Sequence, residues 1–417
     1  MQKLHWLGCA LMLGSICSSA QTQTTLTWEQ VRARFEQRNP TLLAGKLNID
    51  ESKAQEITAF LRPNPGLSLV VDQINPFNGG PPHSTFGALL TVASLSYLHE
   101  RQHKRELRLE STQKGTDIAV SSQSDLERNL LFAVRGAFVQ TLQAKAVLKV
   151  ATENLAYYDR VLDISRDRFQ AGDLAQVDLD RLELQRVQYE SDLQTAEVNL
   201  RTAKIQLLTL LNDRTPVDTF DVTGSFDFSD QLMPLEEFRK TALDTRPDLR
   251  AAVQAVDKAK TDHRLAVANG STDPTFGFDV GRNPPIDQYI GVNVSIPLRI
   301  FDRNQGEKLR TQLDIDRNQR LLDATRAQVF SDVDSAWAML NGNRALLRPY
   351  KAKYLQLADK VRETVSFAYQ HGGASLVDFL NAQSEYRTVE LSYVTLIGAY
   401  LTSAAQLNMA VGREVIQ

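Results

Sequence analysis

The sequence predicts a mainly α-helical fold that also carries a membrane β-barrel, made of a strand hairpin and a long coiled-coil helical hairpin, used twice. Three observations carry that prediction. The second half of the 417-residue chain repeats the first, helical heptads run on for longer than a compact domain can hold, and paired alternating runs precede those heptads.

The duplication sets the frame. A shift of 200 puts Leu155, Gly172, Asp178 and Leu207 on Leu355, Gly372, Asp378 and Leu407. A shift of 207 puts Glu29, Pro40 and Asp50 on Glu236, Pro247 and Asp257. The difference of seven falls between the blocks, where loops tolerate it. The expected divisions are a first unit over 21–215, a linker over 216–233 and a second unit over 234–417.

Residues 1–20 read as an export signal: Lys3, an apolar run over 4–16, then Ser18-Ser19-Ala20, with cleavage expected between Ala20 and Gln21. Both cysteines, Cys9 and Cys17, lie inside it. The mature chain therefore has no disulfide, Cys-ligated zinc or thiol nucleophile. Lipidation at Cys17 calls for a small residue before it, and Ile16 stands there. No later stretch reaches the roughly 18 uninterrupted apolar residues of a membrane helix. An exported chain of this kind is secreted, periplasmic or an outer-membrane barrel. The formal net charge of −3, without a basic stripe, speaks against nucleic acid as a partner.

Each unit opens with a helix, expected over 27–61 and 234–268. A Pro/Gly break follows, then two strands. In unit two, Ile290, Val292, Val294, Ile296 and Leu298 alternate with small or polar residues, and Phe276, Phe278 and Val280 do so before them. Period two with one apolar face is a half-buried strand. The hairpins are expected over 66–98 and 275–299, around the turn-rich stretches 75–82 and 282–287. A small soluble sheet is the rival reading of these segments.

No proline occurs between Pro82 and Pro216. Leu148, Leu155, Leu162 and Phe169 recur every seven residues. On the return limb Leu179, Arg186, Leu193, Leu200 and Leu207 interleave with Leu182, Tyr189, Ala196, Ala203 and Leu210, the spacing of a coiled-coil seam. A helix over 97–170 is on the order of 110 Å long at ~1.5 Å per residue. Pro349 predicts a kink or break in the matching limb of unit two.

His99-Glu100-Arg101-Gln102-His103 matches the H-E-x-x-H of zinc proteases, which needs both imidazoles on one helix face. It falls at a strand-to-helix junction, where unit two has Arg303-Asn304-Gln305-Gly306-Glu307, so a polar helix start is the preferred reading. His83, His263 and His371 are isolated, and Met233, Met339 and Met409 scattered, so no metal-ligand cluster is expected. No catalytic residue, cofactor site or phosphate-binding Gly-rich loop is expected either.

Asn39-Pro40-x-Leu42 and Arg246-Pro247-x-Leu249, then paired strands, then Phe169-x-x-Gly172…Val177-Asp178 and Tyr369-x-x-Gly372…Val377-Asp378, resemble the TolC-like outer membrane efflux protein family over essentially the whole mature chain. Ser335-Ala336-Trp337 and the stretch 369–383 resemble its CzcC-like heavy-metal efflux branch. The resemblance implies a homotrimer in outer-membrane lipid of a Gram-negative bacterium, extending into the periplasm, with a twelve-stranded barrel on an α-helical tunnel. It implies a passive duct fed by a periplasmic adaptor (membrane fusion) protein and an inner-membrane pump of RND type, with heavy-metal cations as the branch's cargo. Physics agrees with the trimer, since four strands cannot close a barrel and lipid tolerates no open edge.

By the same resemblance the turns at Gly172 and Gly372 form periplasmic tips that meet the adaptor, through Gly172, Leu174, Ala175, Gly372, Ala374 and Ser375. Asp378 matches a position that lines the closed aperture, and Asp178, its counterpart in unit one, is the second aperture candidate. Three copies make an acidic ring that favours cations; a helix-start role, worth ~0.3–1 kcal/mol, is the simpler use of each. Two departures stand out: Asn381 occupies the place of a second aspartate ring in TolC, and Ala374 that of an arginine that helps latch it. Glycine, common at the family's strand-to-helix corner, is missing from unit one. A soluble periplasmic coiled-coil scaffold is the alternative function, and a zinc metalloprotease a remote one.

Overall fold

The computed structural model describes residues 24–74, 89–283 and 286–416. The signal segment, His83 and the loop over 75–82 lie outside them.

Unit one runs β1 (Thr24–Leu26), α1 (Trp28–Arg38), α2 (Pro40–Phe60), β2 (Gly66–Asp72), β3 (Leu90–Leu98), α3 (Lys104–Gln170) and α4 (Gln176–Leu210). The linker carries β4 (Phe220–Val222), and unit two runs α5 (Leu235–Thr245), α6 (Pro247–Asn269), β5 (Thr275–Asn283), β6 (Ile286–Ser295), α7 (Gln305–Pro349), α8 (Leu355–Gln370) and α9 (Leu376–Val411).

The opening helix of each unit, expected as one piece, is two. Proline lacks an N–H and drives the residue before it out of the helical region. Asn39 accordingly has ψ 118° and Arg246 ψ 122°. Each break clamps the far end of its own unit. Asn39 accepts from the Leu42 N–H at 3.0 Å and donates to the Leu210 carbonyl at 3.0 Å. Arg246 reaches the Ala410 carbonyl at 3.2 Å and is held by Asp248 at 2.6 Å and Asp332 at 2.8 Å.

The first long helix begins at Lys104, not residue 97, because β3 runs to Leu98 and Gln102 and His103 have φ of 59° and 53°. Asn304, at the matching corner, has φ 61°. These corners thus take the left-handed turn without glycine. The buried Lys104 ammonium fixes the first, bonding Asp273 at 2.5 Å and the Ser271 carbonyl at 3.0 Å. Pro349 does not break its limb into separate rods. The helix continues through one wide π turn, Tyr350–Tyr354, which absorbs the missing N–H. β2 stops at Asp72, before Gln73 with φ 62°. β6 stops at Ser295, two residues before the donor-less Pro297. The parallel pair of β1 and β4, which ties the start of unit one to the linker, was not expected.

The other strands form one antiparallel sheet in the order β2-β3-β5-β6. Register puts Leu67, Leu95, Phe278 and Val292 in one row, with Leu69, Ala93, Val280 and Ile290 beside it. This face is bare: Leu67 is 72 % exposed, Leu69 74 %, Ile290 72 % and Val292 83 %. The other face carries Ser68, Ser94, Asp279 and Gly291 in one row. Beneath the sheet the helices pack in the matching order α2, α3, α6, α7.

Lower down, α3 pairs with α4, and α8 with α9. Leu179, Leu182, Tyr189, Ala196, Ala203 and Leu207 of the expected seam are buried, while Arg186, Leu193, Leu200 and Leu210 are half-buried at its margins. α9 is long and apolar enough to cross a membrane, but 61 % of its most apolar window is buried inside the chain.

Candidate functional site

The two hairpin ends share one design. Gly172 has φ +85° and Gly372 φ +76°, a region that L side chains avoid, with open space where a Cβ would stand. Behind each glycine the next N–H closes the turn, Asp173 to the Arg168 carbonyl at 2.9 Å and Gly373 to the Ala368 carbonyl at 2.7 Å.

Gly172, Ala175, Gly372 and Ser375 are exposed. Leu174 and Ala374 instead pack, half-buried, on an apolar cluster inside the tips. That cluster is aromatic: Tyr158 stacks on Tyr189 at 4.6 Å and Tyr369 on Phe379 at 4.9 Å. Two apolar side chains not expected as tip contacts lie open there, Val177 (60 % exposed) and Val377 (58 %). The signal was present, since they are the same residue at the same place in both units.

Cross-bonds hold the two hairpins together. Arg168 donates to the Tyr369 carbonyl at 2.8 Å, Tyr157 to the Ser366 hydroxyl at 2.7 Å, and Asn154 to Glu390 at 3.3 Å. Arg387 pairs with Asp192 at 2.8 Å. Burial pushes the Glu390 carboxyl above the usual range, against the pull of Asn154 and Tyr386. Burial likewise pushes Tyr386 up to about 12 and raises Tyr369. The Tyr369 hydroxyl is buried with no hydrogen-bond partner among the described residues.

Asp178 and Asp378 sit alike in the first turns of α4 and α9 but are held differently. Asp378 forms a capping box with Ser375. Unit one has Ala175 in that place, and Asp178 lies 3.8 Å from Arg181 instead. The helix-start use of Asp378 is therefore present in the fold.

The H-E-x-x-H residues do not share a helix face, because α3 starts after them. His99 packs edge-on against Phe276 at 6.4 Å. Arg108 takes both oxygens of Glu100, at 2.5 and 2.8 Å, so that carboxylate is committed as an ion pair. His263 bonds Thr311 at 3.0 Å, and His371 the Phe367 carbonyl at 2.8 Å. Among the described residues no three His, Cys, Asp or Glu side chains group as metal ligands.

Residues 239–413 match the family described as outer membrane efflux protein. The chain is 22 % identical to the cobalt-zinc-cadmium resistance protein CzcC of Cupriavidus metallidurans, over 93 % of this chain and 90 % of that protein. Its fold is similar to that of CusC (TM-score 0.79, 16 % identity, 94 % of each chain covered). It is also similar to that of the outer membrane protein VceC of Vibrio cholerae (TM-score 0.74, 14 % identity, 93 % of this chain and 96 % of that one).

Proposed function

We propose that this chain, a TolC-like outer membrane efflux protein, is the channel subunit of a tripartite efflux system and passes its cargo passively from an adaptor and an inner-membrane pump to the exterior. It is an outer-membrane protein that reaches into the periplasm, and it is not an enzyme.

One observation carries the duct reading. A four-stranded sheet with a bare apolar face stands on four helices in matching order, and its two margin strands, β2 and β6, each have one edge with no strand partner among the described residues. A sheet edge is intolerable in lipid. A second copy supplies the missing partner at each margin, a head-to-tail contact that closes into a ring. Three copies give twelve strands around a lumen, the apolar face to lipid and the Ser/Gly/Asn/Asp face to water. A soluble scaffold accounts for the helices but leaves Leu67, Leu69, Ile290 and Val292 in water.

Nothing in the sequence resembles a nucleotide-binding loop, so the energy is assigned to the pump. The cargo assigned to this duct is divalent transition-metal cations, on its likeness to a protein named for resistance to cobalt, zinc and cadmium. Cells deleted for this chain, with their own pump and adaptor intact, should accumulate zinc, cobalt or cadmium, and the wild-type chain should reverse this. Unchanged metal content with raised sensitivity to organic compounds would reassign the cargo.

A further inference from the structure

The described strands of the four-stranded sheet carry four charged residues: Asp72, Asp279, Arg282 and Asp287. Three belong to the end of the sheet remote from the helices. Asp72 is the last residue of β2 and accepts from the Gln73 N–H at 2.7 Å. Arg282 and Asp287 stand 3.8 Å apart across the β5–β6 turn. Asp279 alone lies in the middle of the wall, on the face opposite Phe278 and Val280, with Ser94 on one side and Gly291 on the other. Among the described residues of these strands no lysine or arginine shares that face.

Its surroundings keep it open and fixed. A Cβ on Gly277 would meet the Asn293 side chain at 2.5 Å, so Asn293 lies flat across that glycine. From there its amide donates to Asp279 at 2.9 Å. Tyr289 lies over Gly281 in the same way, where a Cβ would meet its ring at 2.9 Å. The neighbours of Asp279 thus hug the wall, and its carboxylate is the one charge on that face of the described strands away from the rim.

We infer that Asp279 gives the membrane-spanning part of the duct a preference for cations. This rests on the duct reading above. Three copies put three carboxylates at one level of a water-filled barrel, ionised at neutral pH as water-facing carboxylates are. Twelve strands ~4.8 Å apart at a tilt of ~40° enclose a radius of roughly 12 Å. That exceeds the Debye length of about 8 Å at physiological salt and falls well inside the ~30 Å at 10 mM. The ring therefore biases passage without plugging it, and the bias strengthens as salt falls.

The test is the reversal potential of the full-length protein in planar bilayers under a KCl gradient. Around 10 mM salt, Asp279→Asn should lower the K+ over Cl− permeability ratio about two-fold or more, and around 1 M the two proteins should converge. Asp279→Glu should keep the wild-type ratio, and Asp279→Lys should move it towards anions. Channels that open normally with the same ratio in wild type and Asp279→Asn overturn the assignment while leaving the duct intact. Failure of the wild-type protein to form channels overturns the duct reading itself. Loss of channels in Asp279→Asn alone, with Asp279→Glu unaltered, marks a folding role and also overturns it.

Discussion

The Ser375 hydroxyl donates to Oδ2 of Asp378 at 2.7 Å, and the Asp378 N–H returns to that hydroxyl at 3.2 Å. The carboxylate proposed for the aperture is therefore also the lock on the first turn of α9. Both side-chain bonds use Oδ2, and Oδ1 makes none among the described residues, so one oxygen remains for a cation. Ser375→Ala should destabilise the start of α9 by about 0.5–2 kcal/mol in denaturant unfolding. Asp378→Ala should in addition weaken block of the closed channel by a trivalent cation, with a smaller or equal effect from Asp178→Ala. Equal block in wild type and Asp378→Ala would leave Asp378 only its capping role.

The tips make a second prediction. Gly372→Ala forces a Cβ into a left-handed turn at a cost of about 1–2 kcal/mol, and Gly372→Asn should cost less. Nothing crowds the added atom. Gly372→Trp should therefore impair export by covering the adaptor-facing surface while outer-membrane yield stays near normal. Unimpaired export would remove Gly372 from the docking surface, and the exposed Val177 and Val377 should then be replaced in turn.

Arg246 is 4 % exposed and ties the start of α6 to Asp332 and to the end of α9. Burial alone would raise Asp248, but the bonds from Arg246 outweigh it and hold that carboxyl below the usual range. Arg246→Ala leaves Asp332 without this cation and Asp248 with only Arg128, 3.8 Å away, and should cost about 3 kcal/mol in unfolding free energy. A loss under about 1 kcal/mol would mean that solvent already screens the cluster.

Glu390 supplies the pH prediction. Its folded carboxyl is raised by burial, so the folded chain binds this proton more tightly than the unfolded chain. The sign follows: its contribution favours folding at acid pH and is lost as pH rises from the unfolded value through the folded one. Glu390→Gln should raise the melting temperature at neutral pH and flatten that decline, leaving stability at acid pH nearly unchanged. A lower melting temperature at neutral pH would show that the charged form is the stabilising one.

The periodic parts of the fold were legible in the sequence. Seven-residue spacing located the seam through Leu182, Tyr189, Ala196 and Ala203, and period two placed Phe278 and Val292 on one face. Three-residue strands such as β1 and β4 have no period to read, and only long-range pairing creates them. Pro349 was legible as a disturbance, but a π turn and a break leave the same trace in the sequence. At the tips, packing on the cluster that holds Tyr158, Tyr369 and Phe379, not spacing, turned Leu174 and Ala374 inward and left Val177 and Val377 outside.

The central claim is that the sheet closes only when copies of the chain supply each other's missing edges. The mass of the purified protein in mild detergent, by light scattering with the bound detergent subtracted, tests it most directly. The account predicts three chains per particle and precipitation once detergent is removed. A single chain that stays in solution without detergent would contradict it.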